Sequence, residues 1–125
     1  MIYPEKELTE KVIGAAIEVH KHWGPGLLET IYEKSFVHEL ELRGIHCDTQ
    51  VQLPLIYKNV TVGDSLRLDC IVEGKVIVEL KAVKELDAIH ESQLLTYMRL
   101  TSCHVGLLIN FNKPVLKDGI KRMVL

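Results

Sequence analysis

Apolar residues at Leu8, Val12, Ala15, Ala16, Val19 and Trp23 recur at helical spacing and predict a first helix from Lys6 to Trp23. Gly24-Pro25-Gly26 breaks that pattern, because proline lacks an amide donor and glycine accepts turn conformations. A second helix is predicted from Leu27 to Arg43. Leu28, Ile31, Tyr32, Phe36 and Leu40 form its apolar arc, and Gly44 stands where a C-terminal cap belongs.

After Gly44 the period shortens. Gln50, Gln52 and Pro54 alternate with Val51, Leu53 and Leu55, the signature of a strand covered on one face. Tyr57-Lys58-Asn59 reads as a turn, Val60 to Val62 as a brief return, and Gly63-Asp64-Ser65 as a bend. Leu66 to Val72 extends again, Glu73-Gly74-Lys75 turns, and the β-branched run Val76 to Val83 returns as a hairpin partner. Helical spacing resumes from Leu86 to Thr101 through Leu86, Ile89, Leu94, Tyr97 and Leu100. Val105 to Phe111 is a short apolar strand, and Pro114 to Leu125 adds a turn and an edge strand with Ile120, Met123 and Val124 facing inward. The order predicts one α/β domain over residues 1–125, a mixed central sheet flanked by helices, with no internal repeat.

Composition sharpens this picture by exclusion. With 125 residues, 47% hydrophobic and 26% charged, the chain has the balance of a globular domain with one core. The segment Met1 to Glu10 carries Glu5, Lys6, Glu7 and Glu10 and lacks the basic and apolar regions of a signal peptide. No apolar run approaches the ~20 residues of a membrane span. A soluble, cytoplasmic protein is expected. Cys47, Cys70 and Cys103 are odd in number and never in a CxxC pair, so they read as buried free thiols. The net charge of −2 is unlike that of a protein that coats nucleic acid. The C-terminal Lys113, Lys117, Lys121 and Arg122 are the best candidate for a local basic patch, against the commoner reading of such a run as a solvated face. The six histidines have no recurrent zinc spacing.

The candidate chemistry lies in the hairpin from Leu68 to Ala82. Along Val76 to Val83, Glu79 and Lys81 share a face, because side chains alternate on a strand. If the loop has three residues with Gly74 at positive φ, Val72 pairs with Val76 and Asp69 lies across from Glu79. Two adjacent carboxylates repel and persist where something positive sits between them. Mg²⁺ suits the pair: Asp69, Glu79 and a backbone carbonyl such as that of Leu80 would hold it with positions left for water and phosphate. Lys81 would then position or deprotonate the attacking water. The plain alternative is an amphipathic strand bearing a surface Glu–Lys pair.

Asp69 followed by Glu79-Leu80-Lys81 resembles the Asp…(Asp/Glu)-X-Lys signature of the PD-(D/E)XK nuclease superfamily, with Leu68 where a proline often stands. Gly26-Leu27-Leu28-Glu29-Thr30-Ile31-Tyr32 is similar to the motif that names the GxxExxY family of that superfamily. The resemblance runs from about Leu8 to the C-terminus. It implies a restriction-endonuclease-like core and Mg²⁺-dependent hydrolysis of DNA or RNA, with Mn²⁺ as the alternative ion. Asp69, Glu79 and Lys81 become the catalytic set, with Glu29 as an auxiliary metal ligand. Glu29 falls within the apolar arc of its helix, where a carboxylate needs a partner; Glu39 falls there too.

Gln93 and Tyr97 are four residues apart within the face made by Leu86, Ile89 and Leu100. The resemblance extends to them, because exonuclease-like members of the superfamily carry a Gln and a following Tyr near the substrate phosphate. Gly26 reads as a backbone requirement and Tyr32 as a core residue whose hydroxyl reaches a polar partner. Two rivals use the same fold without catalysis: a module that binds nucleic acid or a protein partner, and a dimerising domain whose charges form an internal ionic network. Dimerisation would widen a substrate surface, although no sequence feature requires it.

Overall fold

The computed structural model describes residues 4–125, so the first three residues of the Met1–Glu10 segment lie outside the described residues. The elements are α1 (Lys6–Trp23), α2 (Glu29–Leu42), β1 (Cys47–Tyr57), β2 (Val60–Val72), β3 (Val76–Lys81), α3 (Ala88–Thr101), β4 (Val105–Asn110), a 3₁₀ turn at Leu116–Gly119 and β5 (Ile120–Val124). The strands form one sheet in the order β1-β2-β3-β4-β5. All neighbours are antiparallel except β3 and β4, which run parallel with α3 as the connection that a parallel pair requires. This is the expected mixed sheet flanked by helices.

The sheet is covered on both faces. Val12, Ala15 and Ala16 of α1 and Tyr32, Phe36 and Leu40 of α2 pack with Cys70, Val72, Val78, Leu80 and Leu107. Leu94 and Met98 of α3 pack with Leu68, Ile77 and Leu108 on the other face. β4 is buried along its whole length, which explains its unbroken apolar run. At Gly106 an added Cβ would meet Leu94 Cδ1 and Met98 Sδ at 2.8 Å, so α3 owes its close approach to the absence of a side chain. All three cysteines are free; Cys70 and Cys103 are buried, whereas Cys47, expected to be buried as well, is half-buried.

Several apolar positions lie elsewhere than their spacing suggests. Leu28 precedes α2 and is 74% exposed, while Ile31, Trp23, Ile89, Leu100 and Val124 are also exposed. The buried stripe of α2 is Tyr32, Phe36 and Leu40, and that of α3 is Leu94, Tyr97 and Met98. Trp23 instead lies at the helix end and donates its Nε1–H to Ser35 Oγ at 2.9 Å. Of the three β5 residues expected inward, Ile120 and Met123 pack on opposite faces and Val124 does not pack inward. The bend expected at Gly63-Asp64-Ser65 is absorbed as register shifts in the β1–β2 ladder, so β2 is one strand.

Candidate active site

The Glu73-Gly74-Lys75 loop has three residues, with Gly74 at φ +66° and Glu73 at +53°, and Lys75 N–H donates to Val72 O at 3.0 Å. Val72 pairs with Val76, Ile71 with Ile77 and Cys70 with Val78. One further step puts Asp69 opposite Glu79, but there the backbone ladder stops. Asp69 N–H donates to Glu79 Oε1 at 3.0 Å, and Leu80 N–H donates to Asp69 Oδ2 at 2.9 Å. Each carboxylate thus accepts an amide of the opposite strand, where a regular sheet would have a backbone rung.

Both neighbouring strands explain why the ladder opens at this point. β3 stays paired with β4 as far as Lys81 and Asn110. In the β1–β2 ladder, pairing skips one step between Thr49–Cys70 and Val51–Leu68, the step of Gln50 and Asp69. Gln50 has φ +50°, an αL conformation that non-glycine residues adopt at a cost of ~1–2 kcal/mol. Its side-chain amide donates to Glu33 Oε1 on α2, which holds the kink. Across it the inward face of the hairpin changes layer: Cys47 and Cys70 pack against α1 and α2, Val51 and Leu68 against α3.

The two carboxyl groups lie close enough to act on each other electrostatically. Glu79 is 5% exposed. Its burial, with the nearby Asp69 charge second, pushes its pKa up to about 8, against the pull of the Asp69 amide and of Lys81. Burial and the Asp69 charge therefore favour the protonated form of Glu79 near neutral pH.

Other elements bring the remaining residues. Tyr32 accepts a hydrogen bond from Leu27 N–H at 3.1 Å, donates to Gly24 O, and stacks its ring on Phe111 at 4.5 Å. It closes the Gly24–Leu28 loop, in which Gly26 takes φ +103°, and so fixes Glu29 as the first residue of α2. Glu29 is raised by partial burial first; Lys81 and the Ala82 amide lower it, while Asp69 and Glu33 raise it. Glu39 is engaged elsewhere, accepting from Arg43 Nε at 2.7 Å. On the α3 side Tyr97 is raised by burial and then by the charges of Glu79 and Asp69. Gln93 is exposed and lines a hollow of about 250 Å³ with Tyr97, Leu66 and Ile89. It is thus not the central amide of a buried stripe.

Sequence reasoning missed Asn110. Its side chain is fully buried; Oδ1 accepts Val83 N–H at 3.0 Å and Nδ2 donates to Val83 O at 2.8 Å. It clamps the chain as it leaves Lys81, and the available signal was one amide near the end of an apolar strand. His90 takes part in a capping box at the start of α3 with Asp87. Of the C-terminal cations, Lys113 meets Glu85 at 2.9 Å and Lys121 meets Glu91 at 2.8 Å.

A family model for the PD-(D/E)XK nuclease superfamily matches residues 6–123. The chain belongs to this superfamily. Comparison with curated proteins and with solved structures gives no match. PD-(D/E)XK nucleases generally use divalent metal ions. Among the described residues no three His, Cys, Asp or Glu side chains form a ready metal-ligand group. The Asp69–Glu79 pair nevertheless fits a hard cation such as Mg²⁺, which takes one or two carboxylates and keeps several waters. Among the described residues no helix is long and apolar enough to cross a membrane.

Proposed function

We propose that this PD-(D/E)XK chain is a nuclease that hydrolyses phosphodiester bonds in DNA or RNA with Mg²⁺, or Mn²⁺ in its place. Within the superfamily, Gly26, Glu29 and Tyr32 support placing it among the GxxExxY proteins. The observation that carries the reading is the opening between β2 and β3, where Asp69 and Glu79 face each other, each held by an amide of the opposite strand. A buried carboxylate pair whose burial and mutual repulsion disfavour ionisation is a site that a divalent cation would relieve.

Asp69 and Glu79 would hold the ion, with Glu29 as an auxiliary carboxylate on the Lys81 side. When bound, such an ion neutralises phosphoryl oxygens and lowers the pKa of a bound water. Lys81 supplies an ammonium to orient the attacking water or to stabilise negative charge on the phosphoryl group. The Tyr97 hydroxyl and the Gln93 amide are hydrogen-bond donors for a phosphate oxygen on the α3 side.

The test is cleavage of single- and double-stranded DNA and RNA in Mg²⁺ and Mn²⁺ by the parent and Lys81→Ala chains. We expect the parent to cut and the variant to lose ~10²- to 10⁴-fold in rate, the usual effect of removing a positioned acid/base group. Equal cleavage by both would remove Lys81 from the mechanism. Metal binding with no cleavage of any substrate would favour the non-catalytic binding module.

A further inference from the structure

A groove lies beside the kink on the α2 side, with Gln50 in its lining. It encloses about 580 Å³, with α2 as one wall, through Lys34, Val37 and His38, and the hairpin as the other, through Thr49, Gln50 and Arg67. Its inner end is Gln50, tied to Glu33, and Glu33 is close enough to Glu29 to raise it. Gln50 occupies the β1 step opposite Asp69, and Arg67 lies two residues from Asp69 on β2. The groove's inner end thus lies at the step of Asp69, although neither Asp69 nor Glu79 lines it.

Its charges are sorted in a way that composition conceals. Glu33 accepts from Gln50 and Glu41 lies 3.7 Å from His38, contacts that fix both carboxylates in place, Glu33 at the inner end, without pairing either with Lys34 or Arg67. Lys34 and Arg67 have no carboxylate partner among the described residues. The groove thus offers two unpaired cations on facing walls, hydroxyl donors at Thr30 and Thr49, and an apolar floor at Val37. By contrast, the hollow on the α3 side is lined by no charged residue. In a cavity around the α1–α2 end, lined by Lys11, Arg43 and Lys75 with Glu5, Glu7 and Glu73, Lys11 and Arg43 are already ion-paired, with Glu7 and Glu39.

We propose that this groove binds one single strand of nucleic acid next to the bond to be cut, with Arg67 and Lys34 on phosphates that flank the scissile one. This inference rests on the nuclease reading for its orientation and adds a substrate class to it. Facing cations at the spacing of a groove suit a phosphodiester backbone. The volume is on the scale that holds a small ligand or a short stretch of one strand rather than a base-paired helix. Val37 gives a base an apolar surface. Gln50, tied to Glu33, forms the end of the groove at the step of Asp69.

The test measures binding apart from cleavage. Fluorescence anisotropy with the full chain in EDTA, on labelled single-stranded DNA, single-stranded RNA and a duplex of the same sequence, is repeated for Lys34→Glu, Arg67→Glu, the double variant and the control Lys117→Glu. Melting curves confirm folding, and Lys34→Ala with Arg67→Ala replaces the charge reversals if they unfold the chain. We expect single strands to bind more tightly than duplex, and the double variant to lose about tenfold or more. The slope of log K against log salt should fall by roughly 0.7 for each lost phosphate contact, with the control unchanged. Equal binding by parent and double variant, a preference for duplex, or no binding by the parent would overturn the proposal. Groove-dependent binding without cleavage under Mg²⁺ would leave it standing and count against the nuclease reading; cleavage with variant-insensitive binding would do the reverse.

Discussion

Between the Glu73-Gly74 turn and Cys70, β2 and β3 are joined backbone to backbone under two layers of helix; beyond Cys70 they are joined through carboxylates. The first half buries Val72, Val76, Ile77 and Val78 completely and has the construction of a stable core. The second half places two acids side by side, where burial and the Asp69 charge push Glu79 up to about 8. A single hairpin thus carries both the fold's support and its electrostatic tension, separated by one residue step. What divides them is the kink at Gln50 and Asp69, because it removes one rung from each side of β2.

The largest effect expected from breaking this division is in the open half. Asp69→Ala should abolish divalent-metal binding and cleavage together, while Lys81→Ala should slow cleavage ~10²- to 10⁴-fold with metal affinity kept or slightly raised, since a like charge near the cation is removed. Parallel titrations and rate measurements check the split. In the closed half the pattern should invert. Ile77→Ala removes a fully buried side chain and should cost ~2–5 kcal/mol in urea unfolding, with metal affinity retained at temperatures where the variant is folded.

A smaller effect concerns pH. Glu79 titrates near its ordinary value of 4.5 when unfolded but near 8 when folded. Between those values the folded chain binds the extra proton, so metal-free stability should fall as pH rises and level off above about 8. Glu79→Gln, which can still accept the Asp69 amide, should flatten that slope and raise stability at pH 8, by an amount on the order of a few kcal/mol. Urea midpoints at pH 5 and pH 8 for both chains check it. The smallest effect belongs to Glu39, paired with Arg43 outside the site. Glu39→Ala should change stability by ~0.2–1 kcal/mol and leave cleavage intact, whereas Glu29→Ala should impair cleavage.

Most of the closed half was legible in the sequence, because β-branched alternation and a Gly-centred loop specify register locally. That register also placed Asp69 opposite Glu79. The opening was not legible: nothing in the order of residues announces that Gln50 takes a left-handed backbone, since its partner Glu33 lies in another element. The helix faces were only partly readable. Leu28, Ile89 and Leu100 match helical spacing yet are exposed, because a helix can carry apolar residues on two arcs and tertiary packing selects one. This is why Gln93 seemed central to a buried stripe and proves exposed. Asn110 escaped notice because its partner, the Val83 backbone, is distant in sequence. The Gly26, Glu29 and Tyr32 set was readable as a motif, but its physical logic required the stacking of Tyr32 on Phe111.

The central claim, that Asp69 and Glu79 await a divalent cation, is tested most directly by isothermal titration of the metal-free chain with Mg²⁺ and Mn²⁺, at pH 7 in two buffers of different ionisation enthalpy, alongside Asp69→Asn. We expect saturable binding by the parent with a proton released, because Glu79 must ionise to become a ligand, and no binding by Asp69→Asn. Absence of binding by the parent, or equal binding by Asp69→Asn, would contradict the account.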